Sequence, residues 1–244
     1  MTIRTPPIRN PIARKPLARK ALLALACASA LLCVHAAMAR SAAVALPSPK
    51  HDAPLAAASD QVAVFAGGCF WGVEAVFEHV KGVKAVTSGY SGGSKDSANY
   101  NAVSAGITGH AEAVKVTYDP SKISYGQLLK VYFSVAHDPT QLNRQAPDVG
   151  PQYRSEIFAG NASQDKIARA YIAQLTAAKS FSKPIVTRVS SLKNYYQAEA
   201  YHQNYLRLHP NQPYIVYNDA PKLVELKKLF PELYVTGGAR VARN

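Results

Sequence analysis

The sequence predicts an α+β fold: a two-layer sandwich with a mixed β-sheet, a ferredoxin-like core and a long irregular C-terminal segment. Short apolar runs alternate with stretches in which apolar residues recur every three or four positions, roughly in the order β-α-β-β-α-β-α-β. From Asn194 onward the chain is rich in tyrosine and hard to assign to helix or strand. Because strands and helices are interleaved irregularly, helices on one side of a mixed sheet fit the pattern best.

The first predicted strand leads through two glycines and a lone cysteine into a helix. Residues 62–66 are apolar, Gly67 and Gly68 follow, and a helical apolar period begins directly after Cys69. Its stripe consists of Val73, Val76, Phe77 and Val80. The glycines permit a sharp turn that leaves the sulfur uncovered, and the N-terminus of a helix favours an anion. We therefore expect Cys69 to be reactive and to lose its proton more easily than an ordinary thiol.

The remaining elements follow from the same periodicities. Strands are predicted over residues 83–90, 111–118, 154–159 and 185–191, and helices over residues 125–136, 163–179 and 221–229. Ser124 and Gln127 form the capping box of the second helix. Residues 138–152 show no period, and a run of this length inside a compact domain is usually functional.

Residues 1–39 have the composition of a secretory signal peptide. Basic residues without any acid fill residues 1–20, an apolar run covers residues 21–35, and residues 37–39 form a small-x-small cleavage pattern. Cleavage before Arg40 would export the protein, and we expect it in the bacterial periplasm. The apolar run is too short for a comfortable transmembrane helix, so no stable membrane span is expected once the leader is removed.

Removal of the leader changes both the charge and the cysteine content. The chain of 244 residues has a formal net charge of +13; six of its 28 basic residues and none of its 15 acidic residues lie in the leader, so +7 remains. This charge is spread out, and nucleic-acid binding is not expected. Cys27 and Cys33 leave with the leader, although a lipoprotein cleaved before one of them is a less favoured alternative. Cys69 then stands alone, either buried and inert or present for its reactivity.

The rest of the chain divides into three parts. Residues 40–60 are rich in alanine, proline and serine, which predicts a disordered linker. The folded domain is predicted over residues 61–235, a length suited to a single core, and residues 236–244 are predicted to form a flexible tail. We expect a monomer.

Strand parity places one carboxyl on the apolar face of the predicted sheet. In residues 111–118 the apolar side chains Val114, Val116 and Tyr118 share even numbers with Glu112. Burial raises the pKa of a carboxyl, so Glu112 could hold a proton at neutral pH and act as a general acid. The alternative is that Glu112 reaches water at the strand end.

Several motifs in this order resemble the A-type peptide methionine sulfoxide reductases. They are G-G-C-F-W-G at residues 67–72, G-Y-S-G-G at 89–93, T-G-H-A-E at 108–112, Y-D-P at 118–120, H-D-P at 137–139, D-V-G-P-Q-Y-R-S at 148–155 and A-E-A-Y-H-Q-N-Y at 198–205. The likeness covers nearly the whole predicted domain. It implies reduction of the S epimer of methionine sulfoxide, in proteins and as the free amino acid, in the repair of oxidative damage.

The resemblance also implies a role for each matching residue. Cys69 would be the nucleophile that attacks the sulfoxide sulfur, and Glu112 would protonate the sulfoxide oxygen. Tyr100 and Tyr153 match the tyrosines whose hydroxyls bind that oxygen, and Asp148 matches an aspartate that orders the site through water.

Two aromatic residues complete the implied site. Phe70 and Trp71 would form the apolar pocket for the methyl group of the substrate. Taken singly, each implied site residue other than Cys69 has an ordinary role in packing, at the surface or in a turn, and the catalytic interpretation depends on the joint match. The tyrosines of the C-terminal segment are interpreted as packing residues, with part of their segment as a candidate wall of the site. They are Tyr195, Tyr196, Tyr201 and Tyr205.

The sequence departs from the commonest family pattern in its cysteines. Many members of the family that it resembles carry resolving cysteines near the C-terminus, but no cysteine follows Cys69 here, and Ser104 stands where some members have another. The resemblance therefore implies that the sulfenic acid of Cys69 is resolved by an external thiol, such as a thioredoxin-like or glutaredoxin-like protein or a small thiol.

Two other classes of function stay open at this stage. Cys69 could serve a thiol hydrolase or transferase with His110 or His137 as base and Asp138 as its partner, although both histidines are interpreted as ordinary hydrogen-bonded residues. The chain could also be a binding module with an inert Cys69. The sequence contains no metal, phosphate or dinucleotide motif, so neither a metal nor another cofactor is expected.

Overall fold

The computed structural model describes residues 46–56 and 59–239. The predicted signal peptide lies outside the described residues, as do the first part of the predicted linker and the end of the predicted tail. Within the described ranges, no helix is long and apolar enough to cross a membrane.

The centre of the domain is a six-stranded mixed sheet with the strand order β7-β6-β1-β3-β2-β8. Strands β6 and β7 run parallel, and the other neighbouring pairs are antiparallel. A separate small hairpin pairs β4 with β5. The strands are β1 Gln61–Ala66, β2 Val83–Ser91, β3 Ala111–Tyr118, β4 Arg144–Gln145, β5 Asp148–Val149, β6 Glu156–Ala159, β7 Arg188–Ser191 and β8 Tyr196–Gln197.

The helices vary greatly in length and regularity. The α-helices are α1 Phe70–Glu78, α2 Tyr100–Ser104, α3 Tyr125–Val131, α4 Ala162–Ala177, α5 Tyr205–Leu208 and α6 Ala220–Leu229. Two π-helical turns cover Tyr132–Ala136 and Ile215–Asp219, and 3-10 turns cover Lys95–Ser97, Pro151–Tyr153 and Ala200–His202. From residue 192 to residue 219 the chain therefore contains only short elements.

The main core lies between one face of the sheet and the helices. Ala63 and Phe65 of β1 face this core, whereas Val64 and Ala66 belong to a smaller cluster on the opposite face. Phe65 stacks on Phe77 of α1 with ring centroids 5.2 Å apart. The predicted two-layer α+β sandwich with a mixed sheet is thus confirmed. The ferredoxin-like core stays a prediction, with which the order β6-β1-β3-β2 of the four central strands is compatible.

The predicted elements exist, but several boundaries differ. The capping box of Ser124 and Gln127 is present, and α3 continues directly into the first π-helical turn. The strand predicted from residue 185 begins at Arg188. Residues 138–152, which carry no sequence period, contain the hairpin of β4 and β5, because two-residue strands are too short to produce a pattern.

The prediction of a disordered linker is wrong for residues 46–56, which form an ordered strap along α3 and α4. Leu46 is 3% exposed and belongs to the main core. The Asp52 carboxylate accepts hydrogen bonds from the Gly126 N–H at 2.7 Å and from the Ser124 hydroxyl at 2.5 Å. It thereby satisfies free N–H and O–H groups at the start of α3. One buried leucine and one capping carboxylate suffice to dock the segment. Two such residues hardly change its composition, so the composition still predicted disorder.

The strap makes further contacts with α4. The Tyr171 hydroxyl donates to the Pro47 carbonyl at 2.8 Å, and the Gln174 amide bonds both to the Ser48 carbonyl and to the Lys50 N–H.

The C-terminal end of the described residues also contacts the domain. The N–H of Ala239, a residue of the predicted flexible tail, donates to the Glu78 carbonyl of α1 at 2.6 Å.

Candidate active site

The turn at residues 67–69 connects β1 to α1. Cys69 occupies the N-cap position of α1, and Gly68 has a φ angle of +93°, which strains any other residue. A β-carbon on Gly67 would lie 2.8 Å from the ring of His137, so a larger residue does not fit there. The Tyr132 hydroxyl donates to the Ala66 carbonyl at 2.6 Å and anchors the end of the strand.

A cavity of about 270 Å³ opens above this turn. All seven site residues that the resemblance implies line it together with two others: Cys69, Phe70, Trp71, Tyr100, Glu112, Asp148, Tyr153, Gln212 and Tyr214. Their convergence is a finding of the structure, and their individual chemical roles stay predictions.

Glu112 lies on the apolar face of β3 and is 2% exposed. Its carboxyl accepts a hydrogen bond from the N–H of Phe70 at 3.0 Å, which ties it to the first turn of α1. Burial raises the pKa of Glu112 to about 8, and the charges of Asp148 and Asp219 add to this effect. At neutral pH Glu112 therefore holds a proton that it can donate.

The thiol of Cys69 is less acidic than the sequence predicted. Burial raises the pKa of Cys69 well above its ordinary value, and the negative charges of Glu112, Asp219 and Asp148 raise it further. The hydrogen bond from the backbone N–H of Trp71 lowers the pKa of Cys69 but does not outweigh these effects. The predicted lowering of the pKa is thus wrong, and in the resting site both the thiol and Glu112 carry protons.

The tyrosines and the aspartate come from three separate segments. Tyr100 begins α2, and its N–H donates to the Glu199 carboxylate at 2.9 Å. Tyr153 ends a 3-10 turn. Burial and the nearby carboxylates raise the pKa of both phenols, so both hydroxyls remain available as donors. Burial also raises the pKa of Asp148, which accepts a hydrogen bond from the Tyr214 hydroxyl.

The indole of Trp71 is held on three sides. It stacks on Tyr205 with centroids 3.7 Å apart and planes inclined by 6°, and Tyr214 meets it edge-on. Its N–H donates to the Nδ1 of His202 at 3.1 Å. Phe70 is 1% exposed and packs against the His202 ring at 5.0 Å. The C-terminal segment therefore fixes the aromatic floor of the cavity.

Sequence reasoning missed three residues of this segment: Gln212 and Tyr214 line the cavity directly, and His202 supports Trp71. Tyr205, interpreted from the sequence as a packing residue, packs against Trp71. The density of tyrosines indicated only that part of the segment was a candidate wall. Because the segment has no period, its sequence contains no signal for which side chains turn inward.

A buried ion pair lies beside the first turn of α1. The Lys222 ammonium donates to the Asp219 carboxylate at 3.0 Å, and both side chains are almost completely buried. A β-carbon at Gly72 would lie 2.0 Å from an Asp219 oxygen, so only glycine allows this close approach. Gly72 ends the motif at residues 67–72, but no sequence signal indicated that Asp219 and Lys222 lie beside it.

Both candidate histidine bases are engaged elsewhere. His137 bonds through one ring nitrogen to the Tyr132 carbonyl at 3.1 Å and through the other to the Ser155 hydroxyl at 2.6 Å. Burial lowers the pKa of His137 to about 4. His110 bonds to the Gly93 N–H and the Ser94 carbonyl. Neither lines the cavity, which removes the geometric basis for the hydrolase or transferase interpretation.

Within the described ranges Cys69 is the sole cysteine, and no cluster of three or more histidine, cysteine or acidic side chains could hold a metal ion. The reactive groups that line the cavity are the Cys69 thiol, the protonated carboxyl of Glu112 and the phenolic hydroxyls of Tyr100, Tyr153 and Tyr214.

Comparison with known proteins agrees with this geometry. A family profile described as peptide methionine sulfoxide reductase matches residues 61–233. Peptide methionine sulfoxide reductase MsrA 2 of Mesorhizobium japonicum is 62% identical over 179 residues, which cover 73% of this chain and 92% of that protein. The protein of the same name from Synechocystis is 51% identical over 170 residues, which cover 70% of this chain and 79% of that protein.

Solved structures give the same result. Methionine sulfoxide reductase A of Corynebacterium diphtheriae matches with a TM-score of 0.55 and 32% identity, over 71% of this chain and 87% of that one. Reduced Mxr1 of Saccharomyces cerevisiae matches with a TM-score of 0.57 and 31% identity, over 67% of this chain and 92% of that one. The chain belongs to the peptide methionine sulfoxide reductase family.

Proposed function

We propose that this enzyme reduces the S epimer of methionine sulfoxide in oxidised proteins, and also as the free amino acid, with Cys69 as nucleophile and Glu112 as general acid. The observation that carries the proposal is the meeting of the Cys69 thiol and a protonated Glu112 in one cavity with an aromatic floor.

The cavity offers two distinct environments to the substrate. Phe70 and Trp71 accept the methyl group against their rings. Glu112, Tyr100 and Tyr153 supply donors for the sulfoxide oxygen, with Asp148 ordering this side of the site through water. Because methyl group, oxygen and attacking sulfur each have a fixed place around a chiral sulfur atom, only one epimer fits. Resemblance to the A-type enzymes identifies that epimer as S.

The reductive step transfers an oxygen atom from the substrate to the enzyme. Glu112 protonates the sulfoxide oxygen while the sulfur of Cys69 attacks the substrate sulfur. The sulfur–sulfur bond formed in this attack and the sulfur–oxygen bond of the substrate then break as the protonated oxygen passes to Cys69, and the products are the thioether and the Cys69 sulfenic acid. The proton of the thiol replaces the one that Glu112 has donated. Substrate sulfur gains two electrons and Cys69 loses them.

Resolution of the sulfenic acid requires a thiol from outside the chain. One external thiol would attack the sulfenic sulfur, releasing water and forming a mixed disulfide, and a second thiol would then release reduced Cys69. The support for this step is that no cysteine follows Cys69. A thioredoxin-like or glutaredoxin-like protein, or a small thiol, has the required chemistry.

The cellular setting follows from the leader. We place the mature enzyme in the bacterial periplasm as a monomer, after cleavage before Arg40. The basic, acid-free start, the apolar run and the small-x-small pattern support this placement.

The test is reduction of the two separated epimers of a methionine sulfoxide peptide with dithiothreitol, by the wild type and by Cys69→Ser. We expect the wild type to reduce only the S epimer and Cys69→Ser to reduce neither. Lack of wild-type activity on both epimers would overturn the proposal.

A second measurement tests the resolution step. After one turnover without reductant, mass spectrometry of the mature chain should show one added oxygen on Cys69 or an adduct of a supplied thiol. Failure of a supplied thiol to return the oxidised Cys69 to its reduced form would contradict the external route.

A further inference from the structure

One buried guanidinium joins the segments that carry Glu112 and Tyr153. The Nη2 of Arg154 donates to the Gly109 carbonyl at 3.0 Å, and its Nη1 donates to the Pro151 carbonyl at 3.0 Å. Gly109 lies just before β3, which presents Glu112, and Pro151 begins the turn that ends at Tyr153. A single side chain therefore ties together two loops that are distant in sequence.

A third contact fixes the guanidinium itself. The Nε of Arg154 donates to the Glu156 carboxylate at 2.5 Å, and the Ser190 hydroxyl donates to the other oxygen of that carboxylate at 2.6 Å. The side chains of Arg154 and Glu156 are 9% and 6% exposed. Because the guanidinium is planar and its donors form a rigid fork, its anchoring by β6 also fixes the direction of the two N–H groups that reach the loops.

The backbone around this contact is shaped to admit it. Gly92 has a φ angle of +99°, and a β-carbon there would lie 2.8 Å from the Nη2 of Arg154 and 3.1 Å from the Gly109 carbonyl. A larger residue at position 92 would push the guanidinium away from the loop. Gly92, in the turn after β2, thus leaves room for the hydrogen bond between Arg154 and the Gly109 carbonyl.

Arg154 also borders a second cavity, separate from the one that holds Cys69. This cavity, of about 460 Å³, is lined by Arg154 and Glu156 and by the exposed Arg188. The side chain of Arg188 has no hydrogen bond or ion pair with any residue that the structure describes. Small solutes can therefore approach the guanidinium without entering the catalytic cavity.

We propose that Arg154 is a positioning residue for proton donation: it ties the loop before Glu112 to the turn that carries Tyr153, and so fixes the two donors relative to one substrate oxygen. The inference depends on the proposed roles of Glu112 and Tyr153. Misplacement of a catalytic group by 1 Å can cost about 100-fold in rate. The aromatic floor and Cys69 lie on other segments, so the loss of Arg154 should leave the methyl pocket and the thiol largely unchanged.

The experiment is a single turnover without reductant, which gives both the amount of thioether formed per enzyme and the rate constant. For Arg154→Ala we expect about one thioether per enzyme, as in the wild type, but a rate constant lower by about 10- to 100-fold. Guanidinium chloride at tens of millimolar should restore part of the rate by entering through the second cavity and taking the place of the removed side chain between Glu156 and the Gly109 and Pro151 carbonyls, whereas sodium chloride should not. Arg188→Ala, the matched control in the same cavity, should keep the wild-type rate and gain nothing from guanidinium.

Arg154→Lys keeps the positive charge but lacks the planar set of N–H donors. This variant tests the inference if Arg154→Ala folds poorly. A rate constant within twofold of wild type for the lysine variant would overturn the inference. The inference also fails if the variant forms less thioether per enzyme than the wild type but with an unchanged rate constant. Arg154 would then only maintain the fraction of enzyme that is folded. A wild type that forms no thioether would instead refute the proposed function.

Discussion

The cavity around Cys69 has two sides that are built in different ways. The framework of the cavity consists of the turn at residues 67–69, which joins β1 to α1, and strand β3 with Glu112, so its residues lie on or beside regular, hydrogen-bonded elements. The C-terminal wall, residues 199–222, is assembled from 3-10, π-helical and short α-helical turns. The framework contributes the Cys69 thiol and the Glu112 carboxyl, whereas the wall contributes aromatic stacking and buried charges.

From this difference we expect the framework and the C-terminal wall to have different functions. Reacting atoms must keep fixed distances, and sheet register provides these, as in the pairing of Tyr90 with Glu112. A pocket for a methyl group needs a shape, which stacked rings can provide without regular backbone. Changes in the framework should therefore affect the chemical step, and changes in the wall should affect substrate binding.

The largest effect is expected for Glu112→Gln, which removes the acid while keeping size and polarity. We expect kcat/KM to fall by about 10²- to 10⁴-fold, because general acid catalysis is typically worth this much. Glu74→Gln is the matched control, since Glu74 is also buried, with a pKa raised to about 8 by burial, but lies outside the cavity. If the two variants lose activity equally, Glu112 is not the general acid, and the assignment of the chemical step to the framework is wrong.

The pH dependence of kcat tests the same side of the comparison. The pKa of Glu112 is raised to about 8. The acid works in its protonated form, so activity should be present below this value and fall by about tenfold per pH unit above it. In Glu112→Gln this alkaline decline should disappear from the residual activity. A decline at the same pH in that variant would assign it to another group.

A smaller effect is expected from the wall variant Tyr205→Leu. Loss of the stack on Trp71 should raise KM by about 2- to 10-fold, which corresponds to about 0.5–1.5 kcal/mol for an aromatic pair, with little change in kcat. Steady-state kinetics with a methionine sulfoxide peptide measures both constants. A fall in kcat as large as that of Glu112→Gln would show that the wall also controls the chemistry.

The smallest effect on activity is expected from the strap, outside both sides of the cavity. Asp52→Ala removes the acceptor at the start of α3 and should lower the free energy of unfolding by about 1–2 kcal/mol. Denaturant unfolding measures this change, and kcat/KM should stay at the wild-type value. Unchanged stability would mean that the strap contacts contribute nothing to the fold.

The framework could be predicted from the sequence because its signals are local. Two glycines, a cysteine and a helical stripe lie next to each other, and the orientation of Glu112 follows from the parity of one strand. The C-terminal segment was a candidate wall, but the residues that form the wall could not be predicted, because the contacts of Tyr214 with Asp148 and of Asp219 with Gly72 join distant parts of the chain.

The error in the acidity of Cys69 has the same origin. The helix N-terminus that favours the thiolate is adjacent in sequence, whereas the burial and the carboxylates that disfavour it come from other elements. The linker was misassigned because the composition of residues 46–56 does not reveal that Leu46 has a place in the core.

The strap also determines where the chain can be shortened or fused. Truncation to the first strand would leave the site of Leu46 in the core empty, and the Tyr171 hydroxyl and the start of α3 would lose their acceptors. Recombinant versions should therefore begin before residue 46, with any tag upstream of it. With the proposed cleavage after Ala39, the exported chain would retain the whole strap, so maturation and folding would not compete for the same residues.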